Sequence, residues 1–326
     1  MVLPTVADIE VARERVAAHA RRTPLVRLDP LRSAMFADGT EVYLKLENLQ
    51  SIGAFKIRGA AAVVGDLTPA DLARGLVTAS AGNMAQAVAH LARELGVPCT
   101  VLVPDFAPET KVAANERLGA RVIRVTYEQW WQAFRERTFP GVEGTFVHAF
   151  DDRRVMAGNA TIALEILEDL PDADAVVTPW GGGGLTCGVA AALAAVKPTC
   201  RVVAAEVAGS APLAAALEAG RPLEIECTPS FVDGIGSRSV FPQMFERARS
   251  LGVRSAVAQV DEVAEALLLM AARNHVVAEG AGACPVACAV AGRAGAGKVV
   301  CVVSGGNIDL EEVAALVATY RRGASV

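Results

Sequence analysis

The sequence lacks the features that would assign this chain to several common classes of protein. Its basic residues are dispersed and its formal net charge is −5, which argues against nucleic acid or an anionic membrane surface as a partner. The first five residues contain no basic region leading into an apolar run, so no signal peptide is visible. No apolar stretch is long and polar-free enough to span a bilayer. We therefore expect a soluble protein of the cytoplasm.

Cysteine and histidine are scarce and are not spaced as metal ligands. The 7 cysteines are odd in number, have mostly apolar neighbours and lack paired CxxC spacing, so we interpret them as reduced core residues rather than disulfide partners or metal ligands. None of the 4 histidines has metal-ligand spacing to another, and no Ser-His-Asp or Cys-His arrangement stands out. We predict no metal site and a structural role for each histidine.

Hydrophobic residues are plentiful, and they form strand patterns and helix patterns in alternation along the chain. The 326 residues are 52% hydrophobic, enough for one large domain or two of ordinary size. Short β-branched stretches such as Leu76–Ala79, Ala175–Thr178 and Arg201–Val207 predict strands buried on both faces of a parallel sheet. Helical patterns such as Met84–Leu95 and Thr186–Val196 alternate with them. The sequence therefore predicts an α/β fold with right-handed crossovers.

The stretch over 126–150 is the least regular part of the sequence. It contains Trp130 and Trp131, which we interpret as core or interface residues rather than as a platform for a ligand. After Ser304 only one helix, over roughly 309–321, is predicted. That leaves no room for an appended regulatory domain.

One lysine lies in an unusual frame of small residues. Lys56 follows Gly53, Ala54 and Phe55, and a helix is predicted to start near it. A free lysine amine has a pKa near 10.4, so it must be desolvated or placed beside other positive charge before it can act as a nucleophile. An arbitrary lysine is better interpreted as solvated. Here two further stretches of the sequence favour a reactive amine.

Both stretches fall at predicted strand-to-helix turns, where the ligands of α/β folds bind. Gly181–Gly184 would expose several backbone N–H groups at the positive end of a helix, which suits a phosphate. The run is neither a Walker loop nor a GxGxxG fingerprint, because Leu185 follows it. The turn over 80–84 offers a serine hydroxyl, an asparagine amide and helix-start N–H groups to a carboxylate, with a plain helix N-cap as the alternative.

An amine nucleophile, a polar turn and a glycine run can together hold a phosphorylated aldehyde cofactor. The combination indicates amino-acid chemistry on pyridoxal 5′-phosphate (PLP). Ser304 ends a predicted strand, and its hydroxyl could hydrogen-bond a pyridine nitrogen but is too weak an acid to protonate it. Glu279 and the small residues after it could pack nearby. Taken alone, the motifs at Ser304 and Glu279 more often form ordinary turns than functional sites.

In order and spacing, the motifs resemble those of the fold-type II PLP enzymes, and within them the threonine/serine dehydratase and serine racemase group. The matching stretches are 46–50, 53–60, 80–86, 157–161, 181–185 and 304–307. The resemblance implies a tryptophan synthase β-like fold with two open, twisted, mostly parallel sheets and flanking helices. It also implies a large PLP-binding domain over 1–47 and 148–326, a small mobile domain over 48–147, and no C-terminal regulatory domain.

The resemblance also assigns roles to single residues. Lys56 would form the Schiff base with PLP and act as the general base at the substrate Cα. The residues implied to bind the cofactor are Phe55, Lys56, Asn83, Gly181, Gly182, Gly183, Gly184, Leu185, Glu279 and Ser304. The residues implied to bind the substrate are Ser80, Ala81, Gly82, Asn83 and Met84.

The chain departs from the group at positions that bear on the substrate. Met84 stands where the group usually has histidine, and Trp180 replaces a smaller aliphatic residue, so we expect a more apolar pocket. Racemases of the group typically have a second serine, as the base on the opposite face, at the position of Ala81. Alanine cannot take a proton, so racemisation is disfavoured here. The divalent-cation site of some members uses a glutamate, here Glu206, and an acidic residue at the position of Pro212, so we predict no cation there.

We therefore predict a PLP-dependent ammonia-lyase that converts a β-hydroxy α-amino acid, such as L-threonine or L-serine, to a 2-oxo acid and ammonia. A dehydratase of phenylserine or 3-hydroxyaspartate, an amino-acid racemase and an inactive ligand-binding relative stay open as alternatives. Arg238 would meet the second carboxylate of 3-hydroxyaspartate, although a solvated arginine is the simpler interpretation. The expected partners are a small amino acid and a second copy of the chain in a homodimer.

Overall fold

The computed structural model describes residues 2–30, 36 and 39–320 of the chain. This part folds into two sheets of mostly parallel strands with helices packed around them, which confirms the predicted α/β fold. None of the described helices has both the length and the apolar character needed to cross a membrane.

The strands and helices follow one another along nearly the whole described chain. The strands are β1 (Leu25–Arg27), β2 (Glu41–Lys45), β3 (Leu76–Ala79), β4 (Cys99–Pro104), β5 (Arg121–Val125), β6 (Thr145–Phe146), β7 (Ala175–Pro179), β8 (Arg201–Val207), β9 (Arg254–Ala258) and β10 (Lys298–Val302). The helices are α1 (Val6–Ala17), α2 (Lys56–Val64), α3 (Pro69–Ala73), α4 (Asn83–Leu95), α5 (Glu109–Arg117), α6 (Tyr127–Glu136), α7 (Arg153–Asp169), α8 (Gly184–Val196), α9 (Pro212–Ala219), α10 (Pro242–Ser250), α11 (Val260–Asn274), α12 (Gly280–Val290) and α13 (Leu310–Tyr320).

The larger sheet is built from both ends of the described chain. Its strand order is β1-β2-β10-β7-β8-β9, and only β1 runs antiparallel to its neighbour. Strand β10 lies between an early and a late strand, with Cys301 paired to Leu44 on one side and to Val177 on the other. All five residues of β7 are buried, as expected for a strand covered by helices on both faces.

The smaller sheet has the order β5-β4-β3-β6, and all of its neighbours are parallel. Its strands lie within the segment over 48–147 that was assigned to a small domain. Helix α2 lies in the same segment and contacts α4 as well as α1 and α7. The division into two domains at these bounds, and the mobility of the smaller one, stay predictions.

Local sequence signals explain several element ends. Thr5 accepts a hydrogen bond from the Asp8 N–H and the Asp8 carboxylate accepts one from the Thr5 N–H, which forms the capping box of α1. Gly96 ends α4 in the left-handed conformation that glycine readily adopts. Strand β4 begins only at Cys99, because the Val97 N–H is still bonded to the Ala92 carbonyl at the end of α4.

The predicted irregularity of 126–150 is wrong, because this stretch contains helix α6 and strand β6. Helix α6 begins with a capping box between Thr126 and Gln129.

All 7 cysteines are free thiols, and all except Cys227 are buried, as predicted for core residues.

Candidate active site

A cavity of about 900 Å³ opens where three strands end. Ser80 follows β3, Gly181–Gly184 follow β7, and Ser304 follows β10, and all of them line the cavity. The carboxyl ends of parallel strands are where α/β folds bind ligands. The two turns picked out from the sequence therefore meet at one site, together with Lys56.

Lys56 is the first residue of α2, and the backbone just before it is tied to the end of β10. The Phe55 N–H donates to the Ser304 carbonyl at 2.9 Å. The Lys56 Nζ donates to the Ala149 carbonyl at 2.9 Å and lies 5.0 Å from the centroid of the Phe55 ring. Burial lowers the pKa of Lys56 to about 8, against an opposing effect of the Glu279 carboxylate. Roughly a tenth of the amine is then neutral at pH 7, far more than for a solvated lysine.

The glycine run forms a cradle of bare backbone at the start of α8. A Cβ at Gly182 would lie 1.9 Å from Cδ1 of Phe150, and one at Gly184 would lie 2.7 Å from the Phe150 Cα. Gly183 has φ of +87°, which side chains rarely adopt, and its Cβ would lie 2.5 Å from the Trp180 ring. The first N–H groups of a helix lack intrahelical partners. This end of α8 therefore offers N–H donors and a positive dipole to an anion.

We expect Gly182→Ala to lower the free energy of unfolding by about 1–3 kcal/mol, because the added methyl group must displace the Phe150 ring. The matched control is Gly181→Ala. Its Cβ would meet nothing closer than the Gly234 carbonyl oxygen at 3.4 Å, so this variant should differ from the native protein by less than about 0.5 kcal/mol. Urea unfolding of both variants measures the difference. Equal stabilities would contradict the close packing of Phe150 on the glycine run.

The turn after β3 carries most of the predicted substrate-binding residues into the cavity. Ser80, Gly82, Asn83 and Met84 line it, and the Ser80 Oγ accepts a hydrogen bond from the Gly82 N–H at 3.2 Å. Ala81 does not belong to the lining of this cavity. It packs against the apolar core of the smaller sheet.

Asn83 is held from two sides by groups on other elements. Its Nδ2 donates to both oxygens of the Glu279 carboxylate, at 3.0 and 3.2 Å. Its Oδ1 accepts from Asn307 Nδ2 at 2.7 Å, and that amide also donates to the Ile52 carbonyl at 2.9 Å. Asn307 lines the cavity but was not among the predicted site residues. Its place after Ser304 was the available signal.

Glu279 has an unusually high pKa for a carboxylate. It lines the cavity beside Asn83, and burial raises its pKa to about 7, while the Asn83 hydrogen bond opposes that rise. The group therefore changes its charge near neutral pH. A Cβ on Gly305 would lie only 2.6 Å from Glu279 Oε1. The carboxylate therefore packs closely against the turn after β10.

We expect Glu279→Gln to flatten the dependence of stability on pH in the protein prepared without cofactor. A pKa raised from 4.5 to about 7 means that the folded state binds the proton more tightly than the unfolded state. The resulting stability is complete below pH 4.5 and is lost as the pH rises through about 7. Urea unfolding at pH 5, 6 and 8 (roughly) should show this loss in the native chain and a smaller one in the variant. Parallel curves for the two proteins would contradict it.

The remaining predicted cofactor residues also reach the cavity. Phe55, Leu185 and Ser304 line it and are 8%, 4% and 2% exposed. Met84 lines it as well and is buried. All the residues predicted to bind the cofactor therefore lie around one space.

One expectation about the substrate pocket needs correction. Trp180 is buried in the core behind Gly183 and is not part of the cavity lining, so it does not make the pocket apolar. Trp130 packs against a buried core cluster, as interpreted, and also lines the cavity. Arg238 is exposed and lies outside that lining, in keeping with a solvated arginine.

The side chains of His148 and Glu206 both accept hydrogen bonds from backbone N–H groups. His148 is buried and accepts at Nδ1 from the Asp151 N–H at 2.8 Å, and burial lowers its pKa to about 3. Its role is structural, as predicted. Glu206 accepts from the N–H groups of Leu213 and Ala214 and from the Ser255 hydroxyl. Within the described residues, no group of three or more potential ligands could hold a metal ion.

Most of the chain is similar to known proteins. The family model described as pyridoxal-phosphate dependent enzyme matches residues 16–305. The chain is 38% identical to the L-threonine ammonia-lyase of Thermotoga maritima over 95% of its own length and 77% of that protein. It is 34% identical to the catabolic L-threonine dehydratase of Staphylococcus aureus, covering 96% and 92% of the two chains. The solved structure of maize serine racemase superposes with a TM-score of 0.88 at 27% identity, covering 99% of each chain.

Proposed function

Because the chain belongs to the family of pyridoxal-phosphate dependent enzymes, and is a PLP-dependent lyase of the threonine/serine dehydratase type, we propose that it removes water and ammonia from a β-hydroxy α-amino acid. The product would be a 2-oxo acid. L-threonine and L-serine are the first substrates to consider, since relatives named as L-threonine ammonia-lyase and L-threonine dehydratase match most of the chain. The main observation behind the proposal is that Lys56, the turn over 80–84 and the glycine run line one cavity.

The residues present fit the cofactor. A phosphate suits the bare N–H groups at Gly181–Gly184, where side chains on three of the four glycines would collide with Phe150 or Trp180. A buried amine with a lowered pKa lies in the same cavity. We propose that Ser304 holds the ring nitrogen, that Phe55 packs beside the ring, and that Asn83 holds the ring oxygen. When bound, PLP supplies the electron sink that makes the substrate Cα acidic.

The proposed work of the protein is binding and proton transfer. Lys56 would hold the cofactor through Nζ, and its neutral amine would take the Cα proton at the same nitrogen. The turn over 80–84 holds the substrate carboxylate with Ser80 Oγ and the N–H groups at the start of α4. Loss of the Cα proton and the β-hydroxyl gives an enamine, which hydrolyses to the 2-oxo acid and ammonia. Racemisation would need a second base on the opposite face, and Ala81 offers none.

The proposal is tested by measuring ammonia and 2-oxo acid from a panel of L-serine, L-threonine, L-threo-3-phenylserine and 3-hydroxyaspartate. Borohydride reduction followed by peptide mass spectrometry should place the cofactor on Lys56. Incubation in D₂O gives a further readout, because a racemase would exchange the Cα hydrogen and form the D-isomer without releasing ammonia. Cofactor on Lys56 without ammonia from any member of the panel would overturn the proposed function.

The assembly is also part of the proposal. We expect a homodimer, in keeping with the resemblance to the dehydratase group, and a cytoplasmic location. Sedimentation equilibrium of the purified protein measures the mass directly. A mass near 33.8 kDa, that of one chain, would contradict the dimer.

A further inference from the structure

One wall of the cavity is formed by three aromatic side chains that the proposed chemistry does not use. Trp130 and Phe134 come from α6, and Phe150 comes from the loop before α7. The ring centroids of Trp130 and Phe134 are 5.6 Å apart, and those of Phe134 and Phe150 are 5.4 Å apart. We call these three residues the aromatic wall. Such spacings are typical of rings in favourable contact.

The aromatic wall begins beside Lys56 and the glycine run. Phe150 packs on Gly182 of the glycine run. The residue before it, Ala149, supplies the carbonyl that accepts from Lys56 Nζ at 2.9 Å. The wall therefore starts next to the reacting amine and next to the anion cradle, and it extends away from both through Phe134 to Trp130.

The wall is rigid because a second layer of aromatic rings supports it. Trp131 packs on Phe134 with centroids 5.9 Å apart, and Phe241 meets Phe150 edge-on at 5.1 Å. Phe134 is only 4% exposed. A preformed apolar surface binds an apolar group without first having to be ordered.

From this geometry we infer that the enzyme prefers a β-hydroxy α-amino acid whose β-carbon carries an aryl group, of the 3-phenylserine class. With Cα at Lys56 and the carboxylate on the turn over 80–84, the β-substituent extends along the aromatic wall. A phenyl ring can contact the wall face to face or edge to face. Serine has no such substituent and threonine has only a methyl group. The inference rests on the proposed function, because it assumes that the substrate reacts at Lys56.

The test compares Trp130 with an exposed aromatic residue in the holoenzyme. We expect kcat/KM to be at least about 30-fold higher for L-threo-3-phenylserine than for L-threonine, and Trp130→Ala to lower the phenylserine value about 30-fold while changing the threonine value less than about 3-fold. Phe106→Ala is the control. Phe106 is 69% exposed and belongs neither to the cavity lining nor to the aromatic cluster behind the wall, so its loss should leave the ratio of the two substrates unchanged. Trp130→Phe keeps an aromatic face and should restore most of the preference.

A binding measurement separates the inference from the reaction itself. L-Phenylalanine carries the aryl group but no β-hydroxyl to lose, and L-alanine carries neither. Titration of the cofactor absorbance should show that phenylalanine binds at least about 10-fold more tightly than alanine, and that Trp130→Ala removes this difference.

The outcomes distinguish the two levels of the argument. If no hydroxy amino acid yields ammonia although Lys56 carries the cofactor, the proposed function fails and the aryl preference fails with it. If threonine is turned over as well as phenylserine, and Trp130→Ala affects both equally, the proposed function stands and the aryl preference is overturned. Equal affinity for phenylalanine and alanine overturns it as well.

Discussion

Replacing Lys56 with alanine is expected to lower kcat by about 10⁴-fold, the upper end of what a positioned acid–base group contributes. The side chain is proposed both to attach the cofactor and to take the Cα proton, and no other lysine of the described chain lines the cavity except Lys111. Turnover is measured as 2-oxo acid released from the best substrate of the panel. The variant should still bind PLP through the glycine run, but borohydride should no longer fix it to the protein.

Lys111→Ala is the matched control for this experiment. Lys111 also lines the cavity, but its side chain is 38% exposed and pairs with Asp233 at 2.5 Å. An exposed ion pair contributes at most about 1 kcal/mol, and the amine of Lys111 is held by this pair rather than by the Ala149 carbonyl beside the glycine run. We expect kcat to stay within about 3-fold of the native value and the label to stay on Lys56. Full turnover by Lys56→Ala would rule out the proposed mechanism.

Part of the site was predictable from sequence because of a property of parallel sheets. The parallel strands of one sheet end at the same edge, so the turns after β7 and β10 meet in space. Strand β3 belongs to the smaller sheet, so the approach of the turn over 80–84 depends on how the two sheets pack. The turn over 80–84 and the glycine run were recognisable as ligand-binding turns, and Lys56 as an amine among small residues. The elements that carry them, β3, β7 and α4, have strong local signals and fall close to their predicted ends.

Two of the helices that escaped prediction, α7 and α12, are buried on nearly every side. Ten consecutive residues of α12, from Gly280 to Ala289, are buried, and the helix contains Pro285 and two glycines. Helix α7 has nine consecutive buried residues from Val155 to Ala163. A buried helix shows no polar face, so the 3.6-residue period disappears from its sequence. Burial also outweighs the weak helix propensity of glycine and proline.

The aromatic wall could not be placed from sequence for a different reason. Trp130 and Phe134 are four residues apart, so a helix puts them on one face, but the sequence does not say what that face meets. The long-range contact of Phe150 with Gly182 decides it. The proposed substrate pocket therefore depends on tertiary packing, whereas the proposed cofactor site depends on motifs.

The largest expected loss of stability follows from replacing Arg58, two residues after Lys56 on α2. Its guanidinium group is 1% exposed and forms a fork with Glu47, with Nε to Oε2 and Nη2 to Oε1 both at 2.8 Å. It also donates to Glu165 at 2.7 and 2.8 Å, and the Lys45 amine donates to the same carboxylate at 2.6 Å. Two cations and two anions thus balance inside the protein.

The pKa of Glu47 shows how strongly this buried cluster depends on the arginine. Burial opposes ionisation of Glu47, yet the charge of Arg58 and its hydrogen bonds outweigh burial and hold the pKa below its ordinary value. The cluster joins α2 to β2, to α7 and to the single turn of 3-10 helix that begins at Glu47. It therefore fixes the helix whose first residue is Lys56.

We expect Arg58→Met to lower the free energy of unfolding by about 3–5 kcal/mol, because it leaves a carboxylate buried without its main counter-charge. The control is Arg293→Met. Arg293 also forms two hydrogen bonds to one carboxylate, from Nη1 and Nη2 to Glu262 at 2.7 and 2.8 Å, but the two side chains are 34% and 30% exposed, so we expect a loss of no more than about 1 kcal/mol. Urea unfolding measures both. Equal losses would mean that the surrounding helices, and not the buried charges, hold Lys56 at the cavity.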